Sequence, residues 1–490
     1  MSIRRLLLTT LFALALITLA AALLRADWLF AQHAKTALDY PYNLNYGEGP
    51  LLDQAARLAR GEGIYDLTAP PYLIANYPPV YVLVVAPFVD SYGPSFLYGR
   101  VISLLSIGAS ALLVGGLIHA VTEDRLAAVI GGALLFAIPW IFFWAPLARV
   151  DSLALALSLG GLYLAVRATP RRAPLFPAAL VLTLAIYTRQ TYLLAAPFAA
   201  FVWVARMNGW RRALTLIVWL GALVVGAFAV LLVWTQGGIW FHLVTANANT
   251  LDPDILGHYV REALRGLPLL LLLLVAYLIA GLIRHARSWW LIASYALGAA
   301  LAALTIAKVG SDVNYLYELS AAFCLGIGAL LALARSAKHG RMVWSSAILG
   351  LLAVQVWGAA SLSAQKYQQI TNERVSRVDI TRALYDYLED RSRLVLSDEA
   401  MGLLALADKP IEFQPFEMSA LARAGLWDET PFLERLRRGD YPILTIYNPH
   451  LNPYLRAERW TPAMLRIVNS FYRPVDTFGE TTIYVYIPRN

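Results

Sequence analysis

Long apolar runs separated by short polar segments make up the first three quarters of this chain. Runs of Leu, Ala, Val and Ile of about 17–25 residues recur, which is the length that one helix needs to cross a bilayer. We predict eleven membrane-spanning helices, at 6–24, 97–119, 126–143, 150–166, 175–187, 191–205, 213–234, 265–283, 289–307, 315–334 and 342–362. The pair at 175–187 and 191–205 has an alternative, a single helix over 175–205, because Arg189 splits one long apolar stretch.

The distribution of Arg and Lys decides between these two counts. With eleven spans, one side of the membrane holds fourteen basic residues and two acids, Glu123 and Asp124. The basic residues are Arg4, Arg5, Arg125, Arg167, Arg171, Arg172, Arg206, Arg211, Arg212, Arg284, Arg287, Arg335, Lys338 and Arg341. Ten spans would move the clusters 284–287 and 335–341 to the other side, against the positive-inside rule. We therefore expect eleven spans, with a cytoplasmic N-terminus and the C-terminus outside.

The basic and apolar start of the chain also resembles a signal peptide. Its apolar run is long and continues to Arg25 and Asp27, which favours a retained anchor.

Three segments lie outside the membrane in this topology: the first outer loop 25–96, the outer loop 235–264 and the tail 363–490. Within the first loop, residues 50–61 place apolar side chains on one face of a short helix that begins at Pro50 and ends at Gly61. Such a helix would lie in the membrane interface. A second apolar run, Val80 to Phe88, is too short to span and is expected to lie along the surface.

The tail changes character, since charge becomes dense from Gln365 onward. Short β-type runs alternate there with helical stretches; the former lie at 393–396, 442–447 and 482–487, the latter at 377–390, 431–438 and 461–470. We expect a soluble mixed α/β domain over 363–490, attached to a membrane module over 1–362.

Composition excludes several classes of protein. The chain has 490 residues, 59% hydrophobic and 15% charged, which is too apolar for a soluble enzyme. The net charge of +8 resides in short loops on one side of the membrane, so it sets topology and does not indicate nucleic-acid binding. The single cysteine, Cys324, lies in an apolar span and excludes an intramolecular disulfide or a cysteine zinc site.

Motifs for soluble chemistry are missing: there is no Walker loop, dinucleotide fingerprint, His-Glu-x-x-His or Gly-x-Ser-x-Gly. Asp252-Pro253-Asp254 has the form with which nucleotide-sugar enzymes hold a metal, but a solvated turn is the favoured interpretation.

Acidic, basic and amide side chains collect at the outer ends of several spans. They are Glu48, Arg149, Asp151, Arg189, Gln190, Lys308, Asp312, Asn314 and Glu318. Taken singly, each has an ordinary explanation, such as an exposed loop acid, or a helix start with Asp favoured by the dipole and Arg extending to the interface. Several such clusters on one membrane face indicate a functional site there.

Transfer from a lipid-linked phosphate sugar would need this combination of groups. A carboxylate would take the proton from an acceptor hydroxyl, and cations would stabilise the departing phosphate. The polyprenyl tail of the donor stays in the bilayer, so the site must lie at the membrane edge.

Short motifs distributed over most of the chain resemble a known family. They are Asn76-Tyr77-Pro78-Pro79, Tyr98-Gly99-Arg100, Arg149-Val150-Asp151, Thr188-Arg189-Gln190-Thr191, Gly310-Ser311-Asp312-Val313-Asn314-Tyr315 and Leu396-Ser397-Asp398-Glu399. The chain resembles the lipid-phosphate-dependent glycosyltransferases of the GT-C fold, especially bacterial relatives of protein mannosyltransferases and of the lipid A aminoarabinose transferase.

The resemblance implies roles for the polar residues. The family's acid pair in the first loop is Gly47-Glu48 here, so only Glu48 can carry its catalytic role, and Asp151 matches the second acid. Donor phosphate binding is expected at Arg149, Arg189 and Lys308, and substrate binding at Tyr46, Gln190, Asp312, Asn314 and Glu318.

The implied reaction is a direct, inverting sugar transfer from a polyprenyl-phosphate donor to a hydroxyl or amine at the outer face of the inner membrane. The acceptor is a glycan, lipid or protein. A divalent metal, Mg or Mn, is left open, and no ligand residues are assigned to it.

Two other classes are the alternatives. An O-antigen polymerase or ligase usually lacks a soluble C-terminal domain, and a polytopic transporter places its polar groups nearer the midplane of the membrane. A non-catalytic sensor would leave the charges at the membrane edge unexplained.

Overall fold

The structure is a computed structural model that describes residues 3–66, 70–247, 249–390, 394–448, 453–479 and 482–489. The helices up to residue 389 are α1 (Ile3–Asp39), α2 (Glu48–Ala59), α3 (Val80–Tyr92), α4 (Phe96–Thr122), α5 (Arg125–Ala133), α6 (Pro139–Trp144), α7 (Asp151–Arg171), α8 (Phe176–Thr188), α9 (Ala195–Asn208), α10 (Trp210–Trp234), α11 (Gly238–Trp240), α12 (Pro253–Gly266), α13 (Pro268–Ile283), α14 (Trp289–Ala303), α15 (Tyr317–Arg335) and α16 (Arg341–Glu389). The remainder contains β1 (Val395–Ser397), α17 (Met401–Leu406), α18 (Pro415–Arg423), α19 (Thr430–Arg438), β2 (Ile443–Tyr447), α20 (Pro453–Arg459), α21 (Pro462–Phe471), β3 (Tyr472–Phe478) and β4 (Ile483–Pro488).

Helices occupy all eleven apolar segments that the sequence predicts. Within the described ranges, seven helices are long and apolar enough to cross a membrane. The number is eight if α12 and α13, which are bent by 89° at their junction, count as one span. The chain is therefore a polytopic helical membrane protein, and its other apolar helices are shorter than a full crossing.

The predicted span 126–143 is wrong as a single helix. The helix α5 ends at Ala133, a 3₁₀ turn covers Leu134–Ala137, and α6 begins at Pro139. Proline disfavours helical geometry in the residue before it, and Ile138 is accordingly extended, with φ −81° and ψ 122°. The segment consists of two short helices joined by this turn.

The first and last predicted spans both continue further as helix. The helix α1 runs to Asp39, beyond the predicted end at 24, and α16 runs to Glu389, beyond the predicted end at 362. Neither extension contains a Gly or Pro that would end it. The two helices pack along each other, and the predicted domain boundary at 363 lies inside an uninterrupted helix.

The apolar stretch 175–205 is divided at Arg189, so the single-helix alternative is wrong. Arg189 is extended between α8 and a 3₁₀ turn that leads to α9. The Tyr192 hydroxyl donates to the Asp151 carbonyl over 3.2 Å at one end of α7, and Trp203 Nε1 donates to Thr169 Oγ1 over 3.2 Å near its other end. The helix α9 therefore runs alongside α7 in the same direction as α7 and in the direction opposite to α8.

The amphipathic segment of the first loop is helical as predicted, but it does not present a polar face to solvent. Residues 48–57 of α2 are all buried, because the helix lies between α3 and α17. Asp53, on its polar face, accepts a hydrogen bond from the Ile411 amide over 3.4 Å. The helix α3 does expose an apolar face, formed by Leu83, Val84 and Phe88, as expected for an element on the membrane surface.

The described part of the tail forms a sheet with the strand order β1-β2-β4-β3. Strands β1 and β2 are parallel, with Leu396 opposite Leu444, and the other pairings are antiparallel. The sequence predicts β1, β2 and β4, although Arg393 lies outside the described residues. It misses β3, a polar edge strand that contains Pro474.

The first loop and the tail interlock on one end of the helix bundle. The Tyr72 amide donates to the Glu412 carbonyl over 2.9 Å, and the Gln414 amide donates to the Tyr72 carbonyl over 3.0 Å. The Ile74 amide donates to Gln414 Oε1 over 2.9 Å. These bonds join parts of the chain that are more than 300 residues apart in sequence, and they enclose the cavity described below.

The two populations of charged residues lie at opposite ends of the bundle. Arg335 Nε donates to Asp124 Oδ2 over 2.6 Å, and Arg212 Nη2 donates to the Ala173 carbonyl over 2.5 Å. Asp124, Ala173 and Arg335 lie at the C-terminal ends of α4, α7 and α15, whereas the site residues lie at the N-terminal ends of these helices. The mixed acids, bases and amides lie at the end that carries the tail. The sidedness that the sequence predicts is thus present in the fold.

Candidate functional site

A polar cavity of about 330 Å³ lies where the first loop, the segment before α15 and the tail meet. Its lining combines tyrosines, amides, carboxylates and guanidinium groups. The lining residues are Asn45, Tyr46, Gly47, Pro50, Leu51, Gln54, Ile74, Asn76, Tyr77, Trp144, Arg149, Gly310, Asp312, Asn314, Tyr315, Gln414, Phe416, Glu417, Glu458 and Arg459. Tyr46, Arg149, Asp312 and Asn314 were predicted from the sequence as site residues, and the fold brings them together here.

Glu48, the predicted catalytic base, is fully buried and does not line this cavity. Its carboxylate accepts from Arg100 Nε over 3.1 Å and from Arg100 Nη2 over 2.9 Å. It also accepts from the Ala148 amide over 2.7 Å and from the Leu44 amide. Arg100 in turn donates to the carbonyls of Ala37, Tyr40 and Tyr42. Through these bonds, the Glu48–Arg100 ion pair joins the end of α1 and the start of the first loop to α4.

Asp151, the second predicted catalytic acid, is also fully buried and outside the cavity lining. It forms an ion pair with Arg189 and accepts from Trp144 Nε1 over 2.7 Å and from Asn314 Nδ2 over 3.2 Å. Trp144 and Asn314 both line the cavity. Asp151 therefore orients the side chains of Trp144 and Asn314 from outside the cavity.

Neither Glu48 nor Asp151 reaches the open space of the cavity. Each is bonded to a buried guanidinium group, and protonating either acid would leave that cation without its partner. The sequence did not show that Arg100 and Arg189 are the ionic partners of these acids.

Arg149 is the predicted phosphate ligand that does face the cavity. Its Nη2 donates to the Tyr77 hydroxyl over 2.9 Å, and its guanidinium lies over the Trp144 ring at 5.5 Å from the centroid. Within the described part of the chain, it has no carboxylate partner and its buried Nε has no hydrogen-bond partner. A Cβ on Gly47 would lie 1.3 Å from Arg149 Nη1, so the guanidinium occupies the space of a side chain at position 47.

Four other predicted residues lie near the cavity without lining it. Arg189 is held by Asp151 and by the Tyr315 ring, and Lys308 Nζ donates to the Asn247 carbonyl over 2.8 Å. Gln190 Nε2 donates to the Asn76 carbonyl over 3.1 Å. Glu318, which accepts from Ser158 over 3.1 Å, is buried in the bundle. These contacts support the cavity wall, and none of the four side chains reaches the open space.

Two carboxylates without an Arg or Lys partner among the described residues do reach the cavity, Asp312 and Glu417. Asp312 Oδ1 accepts from the Val313 amide over 2.7 Å and caps the turn before α15. Glu417, in the first turn of α18, accepts from the Tyr46 hydroxyl and from Asn76 Nδ2, both over 3.3 Å. Burial raises the pKa of Glu417 to about 7, although Arg459 nearby lowers it in part.

The tail motif Ser397-Asp398-Glu399 contributes to the cavity indirectly. Asp398 is buried and accepts from the Tyr447 amide over 3.0 Å and from Trp460 Nε1 over 3.1 Å. Glu399 accepts from Arg459 Nε over 2.7 Å, and that guanidinium lies 4.5 Å from the centroid of the Tyr46 ring. The motif therefore fixes a cation at the cavity wall.

A second, larger groove of about 840 Å³ lies between α1, α6, α12 and α16. Its apolar part is formed by residues such as Pro139, Trp140, Phe143, Leu147 and Leu362. Among the described residues, five cations and three acids also line it: Arg261, Arg265, Lys366, Arg374 and Arg377, with Glu262, Asp312 and Glu373. Trp144 and Asp312 line both the groove and the polar cavity, so the two spaces adjoin at these residues.

No role was predicted for Glu417, for the cations of the groove or for Arg100, which was noted only as part of the motif Tyr98-Gly99-Arg100. Lys366, Ile370, Arg374, Arg377 and Thr381 recur every three or four residues and share one face of α16. That signal was present, but the predicted span ended at 362. An acid in the first turn of a helix is ordinary, so no sequence signal distinguishes Glu417.

No group of three or more His, Cys, Asp or Glu side chains converges as a metal site within the described ranges. Asp252-Pro253-Asp254 is the capped start of a helix and not the turn that the sequence predicts: Asp252 is the N-cap of α12 and accepts from the Asp254 amide over 2.8 Å.

The helix bundle, the polar site at one end and the α/β tail above it define a polytopic membrane protein of the GT-C fold. ArnT from Cupriavidus metallidurans in the apo state superposes with a TM-score of 0.60 and 14% identity, covering 94% of this chain and 96% of that one. ArnT bound to undecaprenyl phosphate gives a TM-score of 0.60 and 15% identity, over 94% and 97%.

The archaeal oligosaccharyltransferase AglB from Archaeoglobus fulgidus, in complex with an inhibitory peptide and a dolichol-phosphate, gives a TM-score of 0.54 and 14% identity. The alignment covers 97% of this chain and 74% of AglB. Another structure of that oligosaccharyltransferase is a complex with Zn and sulfate. No protein-family model matches the chain, and no curated protein matches it in sequence. At these identities the similarity is one of fold.

Proposed function

We propose that this protein is a membrane glycosyltransferase that moves a sugar from a polyprenyl-phosphate-linked donor to an acceptor hydroxyl or amine. The observation that carries the proposal is the junction of two spaces with different chemistry. The groove offers apolar side chains and cations, which suit a lipid phosphate, and the cavity offers aromatic, amide and carboxylate groups, which suit a sugar and its acceptor. Neighbours of the same fold bind undecaprenyl phosphate and dolichol-phosphate, which supports this choice of donor.

In the proposed complex, the polyprenyl tail lies against the apolar part of the groove. The phosphate lies near the groove cations, and the sugar extends past Trp144 and Asp312 into the cavity. Charge-assisted hydrogen bonds from guanidinium groups stabilise the departing phosphate. An acceptor in the cavity attacks C1 from the opposite side, so the configuration at C1 inverts.

The same arrangement assigns supporting roles to the two buried acids. Glu48 holds the first loop in place through Arg100, and Asp151 orients Trp144 and Asn314. Arg149 faces the cavity and is retained as a ligand for a phosphate or for an anionic acceptor.

Metal ions remain a separate component of the proposal. A divalent metal, Mg or Mn, is left open, and no ligand residues are assigned to it, because no cluster of metal-binding side chains occurs among the described residues.

We also propose that the tail lies outside the inner membrane. The Arg-rich loops at the opposite end would be cytoplasmic.

Arg374 provides the sharpest test of donor binding. It is half-buried in the groove, and its buried Nη1 has no hydrogen-bond partner among the described residues. We expect Arg374→Gln to weaken the binding of undecaprenyl phosphate in nanodiscs roughly tenfold or more, since a hydrogen bond to a charged group contributes about 1.5–3 kcal/mol.

Arg382→Gln is the matched control for Arg374→Gln, because Arg382 is exposed on the same helix outside the groove. Equal affinity of the parent protein and the Arg374 variant, or equal loss in both variants, would contradict the assignment of the groove.

A further inference from the structure

We infer that Glu417, which the C-terminal tail supplies, is the carboxylate that takes the proton from the acceptor. This inference rests on the proposed sugar transfer and names the base within it. The sequence placed the base in the first loop, at Glu48.

The first loop cannot supply a base to the cavity in this fold. Glu48 is turned away from the cavity and is bonded to Arg100 and to two backbone amides. The preceding residue, Gly47, lines the cavity, but the Arg149 guanidinium fills the space of any side chain there. The carboxylate of the cavity must therefore come from another element.

Glu417 supplies a carboxylate to the cavity from the wall opposite Gly47. Its Oε2 accepts from the hydroxyl of Tyr46, the residue before Gly47, and its Oε1 accepts from Asn76 Nδ2. Both donors are neutral, and both distances are 3.3 Å, at the long end for a hydrogen bond. An acceptor hydroxyl or amine could replace either donor at little cost.

Glu417 differs from the other acids of this region in having no ion-pair partner among the described residues. Glu48, Asp151 and Glu399 each form an ion pair with an arginine, at Arg100, Arg189 and Arg459. No ion pair to Glu417 occurs among the residues that the structure describes. Its proton affinity is accordingly set mainly by burial, and its pKa of about 7 is close to the value that suits a general base near neutral pH.

Glu417 also lies on the correct side of the cavity for an inverting displacement. It lines the cavity but not the groove, whereas Asp312 and Trp144 line both. Phe416, the neighbour of Glu417, packs against Gly310, where an added Cβ would lie 2.9 Å from Phe416 Cζ. The start of α18 thus touches the segment that carries Asp312, and an acceptor between them would face a donor that enters from the groove.

The proposed step conserves atoms and charge. The acceptor oxygen or nitrogen forms a bond to C1 of the sugar, and the bond from C1 to the phosphate oxygen breaks. Polyprenyl phosphate leaves with the bonding electron pair, and the acceptor proton moves to Glu417.

Glu417→Gln tests the inference, because it keeps the shape and hydrogen-bonding capacity of the side chain but cannot take a proton at neutral pH. We expect kcat to fall by about 10²–10⁴-fold, the usual contribution of a general base, with undecaprenyl phosphate binding and the melting temperature unchanged. Glu434→Gln, the same change at an exposed site on α19, should have no effect.

Glu417→Asp and the pH profile separate a base from a structural residue. A base must be deprotonated, so kcat of the parent protein should fall as the pH drops through about 7. The aspartate variant should keep this acidic limb with a lower plateau. An acidic limb that is unchanged in Glu417→Gln would assign the base to another group.

The outcomes also separate this inference from the proposed function. If the parent protein turns over no lipid-phosphate sugar, the proposed function fails, and Glu417 loses its role with it. If the parent protein is active and Glu417→Gln keeps its full kcat, the assignment of Glu417 is wrong while the transferase remains.

Discussion

At the scale of single residues, charge pairing distinguishes the acids at the end of the bundle that carries the tail. Glu48 and Asp151 are fully buried and bonded to Arg100 and Arg189. Removing one partner of such a pair leaves an uncompensated buried charge, which makes these acids structurally essential. Glu417 lies against neutral donors at the cavity wall and is free of this constraint.

Glu48→Gln is therefore expected to act through stability. The variant leaves Arg100 buried without its counter-ion, and loss of one partner from a buried pair typically costs about 3–5 kcal/mol. We expect a clear drop in melting temperature in detergent, and a near-parental kcat per folded molecule at a temperature where the variant remains folded.

The control for Glu48→Gln is again Glu434→Gln, which should have the melting temperature of the parent protein. If Glu48→Gln keeps the parental melting temperature and loses turnover by about 10²–10⁴-fold, then Glu48 is the base after all and the burial argument fails.

At the scale of elements, close backbone contacts hold the first loop against the tail. A Cβ on Gly49 in α2 would lie 2.8 Å from the backbone of Gly402 in α17, and a Cβ on Gly402 would lie 2.5 Å from Asn43 Cγ. Only glycine allows this approach of the two helices. The contact joins the same two parts of the chain that carry Tyr46 and Glu417.

Gly49→Val should separate α2 from α17. Overpacking of this kind usually costs about 1–3 kcal/mol, and here we expect a lower melting temperature together with faster proteolysis of the tail. Gly63→Val is the control in the same loop, because nothing among the described residues lies within 4 Å of a Cβ at that position. A Gly49 variant that melts and resists protease like the control would show that the contact is not needed.

The elements show how far sequence patterns lead in this protein. Apolar runs and turn residues predicted helix in each apolar segment, the amphipathic helix α2 and three of the described strands. The pattern did not show that Pro139 breaks one span or that α16 continues beyond the membrane edge. The change to polar and charged residues after 362 marks the end of the apolar span, but a helix continues as long as its backbone hydrogen bonds do, so composition did not mark where α16 ends.

The limit of prediction from sequence is clearer at the candidate site. Arg149, Asp312 and Asn314 were found because polar residues at span ends are unusual. Glu417 was missed, because its role depends on the tail folding back onto the first loop, and that contact spans 371 residues between Tyr46 and Glu417. Likewise, only tertiary structure reveals that Glu48 already has Arg100 as its partner.

At the scale of the whole molecule, the site is assembled from four parts of the chain, one of which is the segment from the end of α6 to α7, with Trp144 and Arg149. The first loop provides Tyr46 and Asn76, the segment before α15 provides Asp312, and the tail provides Glu417. The helix bundle below holds the groove, whose cations come from α12 and α16. The membrane part and the tail therefore act as one catalytic unit in our account.

The central claim is tested most directly by the release of polyprenyl phosphate. The full-length protein in nanodiscs would be incubated with a panel of polyprenyl-phosphate sugars and candidate acceptors, and released polyprenyl phosphate and glycosylated acceptor would be measured by mass spectrometry. The account predicts that at least one donor is consumed with equal yields of the two products, and that Arg374→Gln and Glu417→Gln each reduce the rate. A folded parent protein that binds undecaprenyl phosphate but releases no product from any donor would contradict it.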